Sequence, residues 1–285
     1  MPAAEPATVP ALAPFALAEA LDHCAKYWWG ASLASKILGF VTGASINLLP
    51  PEPVPFLVAA CAIVAELCLY RSDAVKSTAQ QFRRKVDLQD GLGWQIPSTE
   101  LSDLLVRCPS SAKKRARKRS MTEPYFASAD PPGPLRALKN VAESAWWTKH
   151  LAETMANVCR AIVAIGIAGA LIVLIVALQT TSAHTAQVNV ARIVTGVLML
   201  ILSLGVIKLA ISYGSLSKNS ASSEAAAERA LQASTPPEQL AAFKVMYDYH
   251  LSRAVGPIIP TWIWKIRKDE LNQTWKEHRN GTVTT

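Results

Sequence analysis

The chain has 285 residues, of which 51% are apolar and only 18% charged, with a mean hydropathy of +0.20 and a formal charge of +8. A soluble domain carries about a quarter of its residues as Asp, Glu, Lys or Arg, so the deficit points to lipid as part of the solvent and excludes a disordered polyelectrolyte. Five cysteines (Cys24, Cys61, Cys68, Cys108, Cys159) with no C-x-x-C pair exclude a disulfide scaffold and a spaced zinc site.

Residues 1–31 form an N-terminal cytoplasmic or interfacial segment. Met1 to Phe15 is rich in Ala and Pro, carries Glu5 and has no basic n-region, so it does not read as a cleaved signal. Ala16 to Lys26 reads as a short helix on the inner membrane surface. Residues 32–70 read as a first transmembrane hairpin, Ser32–Leu49 and Val54–Tyr70 joined at Leu49-Pro50-Pro51-Glu52-Pro53. A span needs about 20 mostly apolar residues, so two buried helices of a soluble domain are the competing reading for these shorter runs. Lys36 and Glu66 lie fifteen residues on either side of Pro51, at similar depth on antiparallel helices. Each charge costs on the order of 3 kcal/mol in hydrocarbon. Two readings follow: a pore-lining or gating ion pair, or two side chains that snorkel separately to the headgroups. Gly39 and Gly43 form a GxxxG that favours close helix packing.

Residues 71–160 form a basic cytoplasmic helical insert with 16 Lys/Arg against 9 Asp/Glu. Ser72–Leu88 extends the second span, Asp90-Gly91 marks a turn, and Gly91–Pro97 is a loop that lacks the third glycine of a dinucleotide fingerprint. Ser98-Thr99 caps a helix through Arg107. Lys113-Lys114-Arg115-Ala116-Arg117-Lys118-Arg119 follows, six cations in seven residues. It reads as a solvated loop that fixes topology and touches anionic headgroups, with an anionic nucleotide at Lys113, Lys114 and Arg115 as the alternative. Without interleaved aromatics it does not predict DNA or RNA binding. Pro131–Pro134 breaks the chain, and Leu135–Cys159 reads as a long helix entering the third span, with Trp146-Trp147 as packing residues.

Residues 161–212 form a second transmembrane hairpin. Ala161–Leu178 has no ionisable residue, and Ile193–Ser212 has only Lys208. Gly166 and Gly169 are candidate helix-packing positions in the third span. Residues 213–285 form a cytoplasmic helical tail: one helix through Ser234, a second after Pro236-Pro237 to Ala254, a rigid break at Gly256–Pro260, and a last helix from Trp262 to Arg279. Neither Leu49–Pro53 nor Gln179–Ala191 contains Lys or Arg, whereas the tail from Tyr213 holds nine. The positive-inside rule therefore puts both turns outside and both termini in the cytoplasm. The fold class expected is an all-α membrane protein of four spans. Histidines His23, His150, His184, His250 and His278 have no metal-ligand spacing, and no nucleophile elbow or P-loop occurs, so no catalytic residue, metal or cofactor is expected.

Hairpin, basic insert, hairpin and helical tail, together with Arg253-Ala254-Val255-Gly256-Pro257-Ile258-Ile259-Pro260-Thr261-Trp262-Ile263-Trp264-Lys265-Ile266-Arg267 and Trp146-Trp147 ahead of Asn157 and Arg160, resemble the SMODS-associating four-transmembrane effectors of bacterial antiphage systems. The chain departs from that pattern at Thr261, where an acidic residue is expected, and at Trp264, where tyrosine is. The resemblance implies a non-enzymatic effector of the bacterial inner membrane. A cyclic nucleotide made by a nucleotidyltransferase would trigger it to assemble as a homo-oligomer and permeabilise the bilayer. Arg160, Arg253 and Arg267 then join Lys113, Lys114 and Arg115 as candidate contacts for the anionic signal. Arg253 and Arg267 could equally pair with Asp248, Asp269 or Glu270. A membrane-anchored scaffold that docks a cytosolic partner is the alternative function.

Overall fold

The computed structural model describes residues 13–44, 52–118, 126–180, 194–198, 200–202, 204–233 and 235–278, and all regular elements among them are helical. α1 is Pro14–Ala44, α2 Val54–Leu92, α3 Ser98–Arg107, α4 Ser110–Arg117 and α5 Pro134–Thr180. Residues 194–198 and 200–202 are helical, and α6 (Val206–Gln232), α7 (Gln239–Val255) and α8 (Thr261–His278) complete the order. Gly205, at φ +63°, breaks the helix just before α6. The expected outer connector (from residue 181), the apex at Pro50-Pro51, residues 1–12 and Arg119, and the end of the chain from Arg279 lie outside the described residues.

Three helical stretches are long and apolar enough to cross a membrane: Val54–Leu92, Pro134–Val176 and Val194–Gln232. Protein covers little of their apolar windows. Phe56 is 78% exposed, Ile165 72% and Ile211 68%. Continuous uncovered apolar faces of this kind fit lipid, because each such side chain left in water forgoes on the order of 1 kcal/mol or more. α1, which contains the first expected span up to residue 44, is not among the three.

Each apolar helix is paired with an antiparallel neighbour. Along α1 and α2 the partners run in opposite order: a Cβ on Gly39 would lie 3.1 Å from Cys61 Cβ, Lys36 meets Glu66, and Ser72 Oγ donates to the carbonyl of Ala25 at 2.9 Å. The expected surface helix at Ala16–Lys26 is corrected here. It is the first half of α1, with no break before Ser32, and Leu17 and Leu21 are fully buried against Val75, Ala79 and Phe82. Leu17, Ala20, Leu21 and Ala25 recur at helical spacing, which makes a stripe that α2 covers. α5 and α6 pair likewise, from Lys149–Glu224 (2.6 Å) to the contact of Gly166 with Ile201.

Beyond the spans the helices merge into a polar body. α5, α6 and α8 bury Trp146, Met155, Tyr213 and Ile263; the ends of α2, α5 and α6 meet α7 around Leu138, Ala227 and Met246. α2 continues through the expected Asp90-Gly91 turn to Leu92. It ends at Gly93 (φ +74°), whose N–H donates to Gln89 O while Trp94 N–H reaches Leu88 O, a left-handed cap that only glycine adopts without strain. Gly91 serves packing instead. A Cβ there would lie 3.1 Å from both Cα and Cβ of Ala137, so its absence sets the α2–α5 crossing. Asp90 locks that crossing, accepting from Arg136 Nη2 at 2.6 Å, Arg136 Nε at 3.1 Å and Asn140 Nδ2 at 2.7 Å.

The basic run also differs from its expected loop. Residues 110–117 form α4 on the side of α1, with Ala112 and Ala116 buried four residues apart. Lys, Arg and Ala are good helix formers, and two alanines on one face give the helix something to bury.

Candidate functional site

Asp73, Lys76, Gln80 and Arg84 fall at three- and four-residue steps and so share one face of α2. That face, with Tyr247, His250 and Ala254 of α7, encloses a cleft of about 310 Å³. Lys76 is only half free for a ligand. Its Nζ donates to the carbonyl of Ala254 at 3.0 Å and to that of Gly256, capping the C-terminus of α7 with a cation. Burial lowers its pKa, and Asp73 opposes that. Arg84 is exposed at the rim.

His250, one of the lining residues, belongs to a buried pair with Asp87. His250 Nε2 stands 3.4 Å from Asp87 Oδ2, although neither Nε2 nor Asp87 Oδ1 holds a hydrogen bond. Burial pushes the His250 imidazole down to about 4, with Arg83 and Arg84 acting in the same direction. Burial pushes the Asp87 carboxyl up to about 7 against the pull of Arg83, and Asp90 adds to the rise. Near neutral pH His250 is therefore uncharged, while the rest of the lining supplies the cations of Lys76 and Arg84, the amides of Gln80 and Gln81 and the carboxylate of Asp73. Such a cleft can bind an anionic or polar ligand at its mouth. Among the described residues no group of three His, Cys, Asp or Glu could hold a metal ion.

The six candidate anion contacts lie on four different helices. Lys113, Lys114 and Arg115 lie on α4; Arg115 Nη1 donates to His23 Nδ1 at 3.1 Å, and burial followed by the Arg115 charge lowers the His23 pKa. Arg253, on α7, donates to Tyr249 Oη at 3.4 Å. That hydroxyl gives its own proton to Ser144 O at 3.0 Å and lies 2.9 Å from Thr148 Oγ1, so Arg253 belongs to a knot that ties α7 to α5. Arg267 bonds Glu270 at 2.7 Å, one of the intrachain pairings expected for it. Arg160 stands where α5 turns apolar, donating to Asn157 Oδ1 at 2.8 Å.

The polar residues inside the first hairpin do meet. Lys36 Nζ and Glu66 Oε1 are 3.2 Å apart, the paired geometry rather than separate snorkelling. Gly39 and Gly43 face Cys61 and Val58 of α2. Gly166 abuts Ile201, whose Cδ1 a Cβ would meet, but no atom of the described residues lies within 4 Å of a Cβ on Gly169. Gly169 is exposed, on the side of α5 that the described residues leave uncovered. Sequence reading missed the cleft and the buried Asp87–His250 pair. The signal available was the polar face Asp73–Lys76–Gln80–Arg84 on a helix continuous with a span.

No family model, curated protein or solved structure matches the chain.

Proposed function

We propose that the chain is a non-enzymatic membrane effector whose helical body reads an anionic signal and passes it to two transmembrane hairpins. The observation that carries this reading is continuity. The wall of the cleft, Asp73 to Arg84, belongs to the same unbroken 39-residue helix whose first half is apolar and uncovered. A ligand that draws Arg84 and α7 together acts on that span without a flexible joint between. By differential affinity it favours one arrangement of the hairpins over another. The resemblance to SMODS-associating effectors supports a cyclic nucleotide as the signal and loss of the inner-membrane barrier as the output. Four spans with both termini cytoplasmic, a homo-oligomeric active state and permeabilisation all belong to this proposal. The positive-inside asymmetry supports the orientation.

The test is expression in a bacterium with and without a source of cyclic oligonucleotides while membrane potential is followed. Signal-dependent depolarisation that Arg84→Ala abolishes supports the proposal. An unchanged potential across a broad messenger panel defeats it and favours a membrane-anchored scaffold, for which the exposed Trp262 and Ile266 of α8 would be the docking face.

A further inference from the structure

We propose that a groove between α5 and α6, at the polar edge of the second hairpin, binds the phosphate headgroup and upper acyl chains of an anionic phospholipid. The groove measures about 630 Å³. On α6 its wall is Ile207, Ile211, Gly214 and Lys218, residues spaced four, three and four apart that therefore share one face. Over those eleven steps the wall rises about 16 Å, from apolar to cationic. On α5 the wall begins with Arg160 and passes to Val163, one turn deeper.

Both cations are available to an anion. Arg160 donates to a neutral amide, that of Asn157, and among the described residues neither Arg160 nor Lys218 has a carboxylate within ion-pair distance. Gly214 shapes the seat: a Cβ there would lie 3.3 Å from Arg160 Nη2, so the missing side chain lets the guanidinium lie over α6. A guanidinium and an ammonium one helical turn apart suit a phosphate monoanion. The apolar half selects a lipid over free phosphate. Ile207 and Ile211 are 43% and 68% exposed and open onto the uncovered face of the span, where acyl chains cover them and a soluble anion leaves them bare.

The site rests on the membrane reading and not on signal gating. It is tested by native mass spectrometry of the full-length protein in detergent, titrated with phosphatidylglycerol or phosphatidylcholine. The expected result is tighter binding of phosphatidylglycerol by tenfold or more. Arg160→Gln with Lys218→Gln should weaken it roughly thirtyfold, about fivefold for each surface cation removed. Arg160→Lys with Lys218→Arg should stay within a fewfold of the parent. Gly214→Leu leaves every charge in place but fills the seat, and should weaken binding as well; this variant decides the matter if the double glutamine variant aggregates. Lys244→Gln, an exposed cation on α7, should change nothing. Equal affinity for the two lipids, or unaltered phosphatidylglycerol binding by the Gln pair or by Gly214→Leu, would overturn the site. Competition by glycerol 3-phosphate as effective as that of the intact lipid would overturn the assignment to a lipid. A chain that stays monodisperse without detergent defeats the membrane reading instead, which keeps the two failures distinct.

Discussion

Replacing Asp87 by Asn should expose a pH dependence that the parent chain conceals. In the folded protein burial holds His250 neutral down to about pH 4, whereas an unfolded histidine takes its proton near 6.5. Between those limits the unfolded state binds one more proton, so the His250 contribution is fully present above pH 6.5 and is lost as pH falls toward 4. Asp87 has the opposite sign. Its folded pKa of about 7 lies above the ordinary carboxylate value of 3.8, so the folded state holds the extra proton and stability falls as pH rises from about 4 to 7. One proton is worth about 1.4 kcal/mol per pH unit, and from pH 4 to 6.5 the two slopes cancel. Asp87→Asn removes the opposing term. The variant should lose about 3 kcal/mol between pH 6.5 and 4, while His250→Gln should lose about 4 kcal/mol as pH rises from 4 to 7. Guanidinium titrations of the detergent-solubilised protein, followed by tryptophan fluorescence at half-unit pH steps, measure both slopes. Parallel pH profiles for the parent and Asp87→Asn would show that Asp87 does not offset the titration of His250.

Gly91→Val should destabilise the α2–α5 crossing by roughly 1–3 kcal/mol, because the backbone of Ala137 has no room to yield; an unchanged melting temperature in detergent would contradict that packing. Lys36→Glu should cost on the order of 3 kcal/mol by leaving two acids in the first hairpin, and the swap Lys36→Glu with Glu66→Lys should restore most of it in the same melt, whereas separate snorkelling gives no rescue. A thiol introduced at His184 should react with an impermeant maleimide added to whole cells. One at Lys244 should react only after permeabilisation, and the reverse pattern would invert the topology.

How much was legible depended on whether the cause was local. The arms of the first hairpin could be measured along the chain because a helix converts residue count into depth, which is why Lys36 and Glu66 meet as counted from Pro51. The extension of α2 beyond its apolar half and the fusion of Leu135–Cys159 with the apolar stretch of α5 follow from helical spacing and proline placement, whereas α3 begins at Ser98 behind Pro97 and not behind the expected Ser98-Thr99 cap. Asp90-Gly91 misled because a glycine can end a helix or let two helices touch, and only the neighbour at Ala137 distinguishes the uses. The run Lys113–Arg119 read as a loop because its charges drew attention from Ala112 and Ala116, whose value depends on α1 lying beside them. The cleft was the least accessible feature. Asp87 and His250 sit on helices far apart in sequence, and each alone looks like an ordinary polar residue. The candidate arginines were chosen by motif, which carries no distances, and they scatter over α5, α7 and α8.

Residence in the bilayer is measured most directly by alkaline carbonate extraction of membranes carrying the full-length chain, followed by flotation in a density gradient. If the uncovered faces of α2, α5 and α6 are immersed in hydrocarbon, the protein should rise with the lipid after the carbonate wash and need detergent to leave it. Release into the carbonate supernatant as a monodisperse species would show that those faces are covered by protein instead.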